Sequence, residues 1–139
     1  MSEGIDVLAS YLHLARASQL RQRPHVRDRL LVLAGVAAAR LSLARIAAYC
    51  RHLVLQHNPR HLLGRWATVD EALQQEDFLS LLRTLQRRYP WERAEQMLAR
   101  LGIERGHERD AYYTDEEYAA ALLGVSEVDL DRMSGRASS

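Results

Sequence analysis

Between Leu30 and Pro59 the chain reads LLVLAGVAAARLSLARIAAYCRHLVLQHNP, in which apolar and small residues recur at helical spacing and Asn58-Pro59 closes the run. The pattern predicts two helices folded back into a tight hairpin. Gly35 and the alanines at 37 to 39 allow the backbones to approach closely. The longest apolar run, Leu30 to Ala39, is well short of the ~18 residues that mark a membrane span.

Helical signals continue on both sides of the hairpin. Ile5, Leu8, Leu12 and Ala15 predict a first helix from Ile5 to about Gln22, with Ser2 as its cap and Pro24 as its stop. Pro24 suits the first turn of a second helix, in which Val26, Leu30, Leu33, Ala37 and Leu41 trace one stripe. Ser42 is the expected N-cap of a third, whose buried face is Leu43, Ile46, Ala47, Cys50, Leu53, Val54 and His57. Its opposite face carries Arg45, Tyr49, His52 and Gln56.

Thr68-Val-Asp-Glu71 has capping-box form and starts a short helix near Val69, and Phe78, Leu81, Leu82 and Leu85 mark the next, ended by Tyr89-Pro90. Pro90 opens a helix through Trp91, Ala94, Leu98 and Leu101, with Gly102 as its C-cap. A polar loop from Glu104 to Tyr113 follows. Thr114-Asp-Glu-Glu117 is a second capping box for a helix stopping at Gly124, and Ser126 caps a last short helix to Met133. Residues 134–139 read as a disordered tail. No segment alternates with the period of a strand. The expectation is therefore all-α: a single domain over residues 1–133, built as an irregular bundle of about six to eight helices.

All 19 basic residues are arginine, and they are unevenly placed. Residues 1–66 hold ten arginines against Glu3, Asp6 and Asp28, a net +7; residues 67–139 hold nine against fifteen acids, a net −6. Neutralisation within one fold is the favoured reading, and pairing of two copies in a homodimer is the other. With Cys50 as the only cysteine, an internal disulfide and a cysteine-rich zinc site are both excluded. The composition and the lack of a signal pattern at the N-terminus predict a soluble cytoplasmic protein with no membrane association.

The hairpin, with Gly35, Ala47 and Pro59 at their spacing, resembles a single tetratricopeptide repeat. The resemblance covers residues 30–59 with no second copy, and it implies an antiparallel helix pair of the kind used as a protein-binding scaffold. Near the C-terminus, Thr114, Ala119-Ala120, Leu123-Gly124-Val125-Ser126, Leu130 and Arg132 within residues 113–132 resemble an excisionase or MerR-type helix-turn-helix. That resemblance implies a second helix in the DNA major groove, with Arg132 and Arg136 as its nucleic-acid contacts. Glu127, Asp129 and Asp131 on the same helix oppose the phosphate attraction such binding needs.

No nucleophile beside a base, no phosphate-binding loop and no acid–base pair is visible in local sequence, so no catalytic residue, cofactor or enzymatic activity is expected. His52, His57 and His61 cluster near Cys50, but their spacing across Pro59 does not place them on one face, and no metal site is expected. The richest patch is the turn Gln56-His-Asn-Pro-Arg-His-Leu-Leu-Gly-Arg65-Trp66, where Asn58 is expected to cap a helix started by Pro59 and ended by Gly64. Arginine and tryptophan are frequent at binding hot spots. The leading expectation is a non-enzymatic protein–protein interaction module with an unidentified protein partner bound by Arg45, Tyr49, His52, Gln56, Arg60, His61, Arg65 and Trp66. The alternative is a DNA-binding or regulatory protein.

Overall fold

The computed structural model describes residues 3–103 and 108–138, with side chains from Gly4 to Met133. Ser2 and the side chain of Arg136 lie outside them. The fold is all-α, an irregular bundle with eight helices among the described residues: α1 (Glu3–Leu20), α2 (Pro24–Arg40), α3 (Ala44–His57), α4 (Val69–Ala72), α5 (Glu76–Arg88), α6 (Trp91–Arg100), α7 (Asp115–Leu123) and α8 (Glu127–Ser138). Single 3-10 turns occupy Leu62–Arg65 and Glu108–Ala111, the second inside the segment read as a polar loop. No strand occurs among the described residues, and no described helix is long and apolar enough to cross a membrane.

Helix α2 is the axis of the bundle. Between Leu30 and Ala39 every residue except Ala37 is buried. The single stripe expected from Val26, Leu30, Leu33, Ala37 and Leu41 is too narrow: Val26, Ala37 and Leu41 are only half-buried, while Leu31, Val32, Ala34 and Val36 on other faces are covered. A helix apolar on all sides must be enclosed. Helices α1 and α3 enclose it along two sides, and α4 and α5 pack against it as well. A Cβ placed on Gly35 would lie 3.4 Å from the Cβ of Cys50 and 3.7 Å from Cγ2 of Val69, so the absent side chain sets the approach of both α3 and α4.

Helix α6 and helix α7 pack on α1, and α8 packs on α3. Their inward residues include Ala94 and Leu98, then Tyr118, Ala119 and Ala120, and Leu130. The Tyr11 hydroxyl donates to the carbonyl of Tyr89 at 2.6 Å, tying α1 to the α5–α6 joint. Burial, aided by the charge of Glu92, pushes that hydroxyl up to about 12.

The reversals share one geometry. At the ends of α1, α2, α6 and α7 the chain closes with paired bonds in which an N–H reaches back five residues and its predecessor three: Arg23 to Ser18 and Gln22 to Gln19, then Leu43 to Ala38 and Ser42 to Ala39. The left-handed residue is Gly102 after α6 and Gly124 after α7, as the sequence predicts, but Gln22 (φ 60°) and Ser42 (φ 62°) after α1 and α2. Ser42 is thus not the cap of α3; the preceding Schellman closure claims it, and Leu43 stands at the cap position without a side-chain bond.

Three other predicted caps do form. Thr68 Oγ1 accepts from Glu71 N at 3.1 Å, Thr114 Oγ1 from Glu117 N at 3.0 Å, and Ser126 Oγ from Asp129 N at 3.2 Å. Asp129 returns a bond from the Ser126 N–H at 3.1 Å, and these contacts hold its carboxyl below the usual aspartate range. So capped, α8 continues to Ser138, past the end expected at Met133.

A left-handed non-glycine residue costs about 1 kcal/mol. Ser42→Gly is therefore expected to raise the unfolding free energy by up to about 1 kcal/mol in urea melts, and Ser42→Val to lower it. Equal or reduced stability of Ser42→Gly would contradict the closure described.

Candidate functional site

The open end of the α2–α3 hairpin is closed by a polar knot. Asp28, buried on α2, meets Nδ1 of His57 through Oδ2, and Arg27 Nη2 through Oδ1 at 3.3 Å. The same Arg27 nitrogen donates to the Leu53 carbonyl at 3.0 Å. A buried carboxylate needs such partners. His57 also meets the ring of His25 edge-on, with centroids 5.5 Å apart. The knot accounts for His57 structurally, at the C-terminus of α3.

After the knot, Asn58 Oδ1 accepts from Arg60 N at 3.3 Å in a local turn rather than capping a helix, and Pro59 starts none. The 3-10 turn is capped instead by the His61 ring, whose Nδ1 accepts from Leu63 N at 3.1 Å. Gly64 lies inside that turn, where a Cβ would come 3.3 Å from Leu55 Cδ2. Accepting through Nδ1 requires the neutral, Nε2-protonated ring, and burial lowers the His61 pKa from its ordinary value.

Beyond the turn, Arg51 Nη2 donates to the Trp66 carbonyl at 2.7 Å, and the Trp66 ring packs edge-on against Phe78, 6.3 Å between centroids. The segment from Asn58 to Trp66 is therefore pinned at both ends. Arg60 remains exposed, whereas Arg65 pairs with Asp77 at 3.2 Å across an exposed surface.

Between α3, the start of α4 and the middle of α8 lies an open groove of about 380 Å³. It brings together His52 and Gln56 with Arg51, Leu55, Thr68 and Met133. His52 stacks on Tyr49, 5.9 Å between ring centroids, and burial raises the Tyr49 hydroxyl above its ordinary pKa. Arg51, Leu55, Thr68 and Met133 are not among the binding residues expected from sequence. Arg51 and Leu55 sit one residue from His52 and Gln56 on the same side of α3, a signal available from spacing. Thr68 and Met133 arrive only through tertiary packing.

Arg45, at the other end of the polar face of α3, is occupied. Its Nε donates to Glu116 Oε2 at 3.1 Å, Nη2 meets Oε1 of the same carboxylate, and Nη1 meets Asp131. The guanidinium thus clamps α7 and α8 to α3, and these carboxylates raise the Arg45 pKa further above its ordinary value. Arg45 joins the N-terminal arginine-rich half to the C-terminal acidic half, as do Arg65–Asp77 and His13–Glu108. In the helix-turn-helix-like hairpin, Leu130 is fully buried and Asp131 is held by Arg45, leaving Glu127, Val128 and Arg132 facing outward.

The histidines do not converge: His52 stacks on Tyr49, His57 binds Asp28 and His61 caps Leu63. Among the described residues no group of three or more side chains is arranged to hold a metal ion. Cys50 is buried against Gly35, and burial pushes its thiol up to about 12, so it supplies no thiolate near neutral pH.

Two outcomes test this geometry. A double-mutant cycle of Arg45→Ala and Glu116→Ala is expected to give a coupling of about 0.5–1 kcal/mol, the range for a partly exposed bidentate pair, weakening in high salt. Strict additivity would contradict the clamp. His61, with its folded pKa below its unfolded value, stabilises the turn fully above the unfolded pKa and loses that contribution as pH falls toward the folded one. Histidine NMR should show a pKa below 6.5 and an unprotonated Nδ1; titration at or above 6.5 would contradict the cap.

Comparison of the chain with protein-family models, curated proteins and solved structures gives no match.

Proposed function

We infer that this protein is a non-enzymatic interaction module that binds a segment of a partner protein along the groove of α3 and the adjoining turn. One observation carries the reading: the groove gathers the donors Arg51, His52 and Gln56 beside the apolar Leu55 and Met133, next to a pinned turn that leaves Arg60 exposed. Interfaces combine apolar contact with directional donors in this way. A pinned turn also loses little conformational entropy on binding. Within the surface expected from sequence, Arg45 and Arg65 are already engaged in ion pairs. His52, Gln56 and Arg60 are the residues best placed to meet a partner, with Tyr49 supporting His52 from behind and His61 and Trp66 fixing the turn.

The test is affinity purification of the native protein, with and without nuclease, beside a His52→Ala/Gln56→Ala/Arg60→Glu variant. The expected result is a nuclease-resistant protein partner recovered with the parent chain and lost from the variant. Recovery of no protein partner, retention of the partner by the variant, or recovery of nucleic acid alone would overturn this reading.

A further inference from the structure

A second surface lies at the α1–α2 turn. The turn between α1 and α2 is short, so these helices run antiparallel, and α6 places its C-terminal end at the same pole. There a cleft of about 180 Å³ is floored by Val26, Met97 and Leu101 and rimmed by Arg21, Arg23 and Arg100. The three arginines are exposed and have no ion-pair partner among the described residues, unlike Arg45, Arg65 and Arg109, which are paired with carboxylates. Arg100 also suits the C-terminal dipole of α6, a role that leaves its guanidinium free for other contacts.

Across the last turn of α1, a second cleft of about 260 Å³ is lined by Arg16, Leu20, Leu122 and Leu123. Leu20 lines this second cleft and is 77% exposed, an apolar side chain left largely open to solvent. Apolar floor, exposed leucine and unpaired arginines therefore occur at one pole.

We propose that this pole is a docking surface for an acidic amphipathic peptide segment of another protein, its leucine-like side chains entering the Val26–Met97–Leu101 cleft and its carboxylates meeting Arg21, Arg23 and Arg100. Charge complementarity selects an acidic partner, and bidentate pairing favours carboxylates on a guanidinium rim. A nucleic-acid backbone would satisfy the arginines while leaving the floor and Leu20 uncovered. A bilayer would require a helix with its apolar face turned outward, whereas the apolar residues of α1 from Leu8 to Ala15 are buried in the core. The surface is separate from the α3 groove and does not depend on it.

The probe is a fluorescein-labelled peptide with leucines at i, i+3, i+4 and i+7 and glutamates elsewhere, read by anisotropy against the same peptide with each leucine replaced by serine. Saturable binding is expected, at least about tenfold tighter for the leucine peptide, with a loss of at least about tenfold in an Arg21→Gln/Arg23→Gln/Arg100→Gln variant whose circular dichroism is unchanged. The His52→Ala/Gln56→Ala/Arg60→Glu variant should bind the probe normally, which separates this site from the α3 groove. Absent or non-saturable binding, equal affinity for the serine peptide, or an unaffected arginine variant would overturn the proposal. So would displacement of the probe by duplex DNA or phosphatidylglycerol vesicles at charge concentrations below those of unlabelled peptide.

Discussion

The enclosure of α2 is the constraint from which the rest of the structure follows. Each fully buried aliphatic side chain contributes about 1.5–3 kcal/mol, and α2 presents Leu30, Leu31, Val32, Leu33 and Val36 around its whole circumference. No single neighbour can cover such a rod. Helix α1 and helix α3 fold back along it through short reversals, and the small residues Gly35, Ala38 and Ala39 bring the backbones together. The strain at Gln22 and Ser42 is best understood as the cost of making those reversals short.

The C-terminal helices are held by different physics. Their apolar contribution is smaller, resting on residues such as Tyr118, Ala119, Ala120 and Leu130, and Arg45 supplements it by binding carboxylates from both α7 and α8. The opposite charges of the two halves of the chain are thus partly matched inside the fold. Among the exposed arginines with no ion pair to a described residue, Arg60 lies near the α3 groove and Arg21, Arg23 and Arg100 line one cleft at the α1–α2 pole.

The helical architecture was legible because its signals are local. Proline at the start of α2, threonine and serine caps before α4, α7 and α8, and glycine after α6 and α7 each act within a few residues. Ser42 was misread because serine suits both an N-cap and, at some cost, a left-handed closure, and only the bonds to Ala38 and Ala39 decide between them. Asn58-Pro59 has the composition of a helix start, yet the His61 ring takes the capping role, three residues after Asn58. The candidate surface was half legible: His52 and Gln56 follow from the face of α3, but the capture of Arg45 by Glu116 and Asp131, 71 and 86 residues away, has no local sign.

A hairpin whose α2 helix is buried along its length, with polar side chains of α3 exposed, is a platform that holds a binding surface in place. That account depends on α2 being the last element to open. Native-state amide hydrogen exchange measures this directly. The amides from Leu30 to Ala39 should exchange only through global unfolding, with those of α7 and α8 opening at lower free energy. Exchange of the α2 amides as fast as those of α7 and α8 would contradict the account.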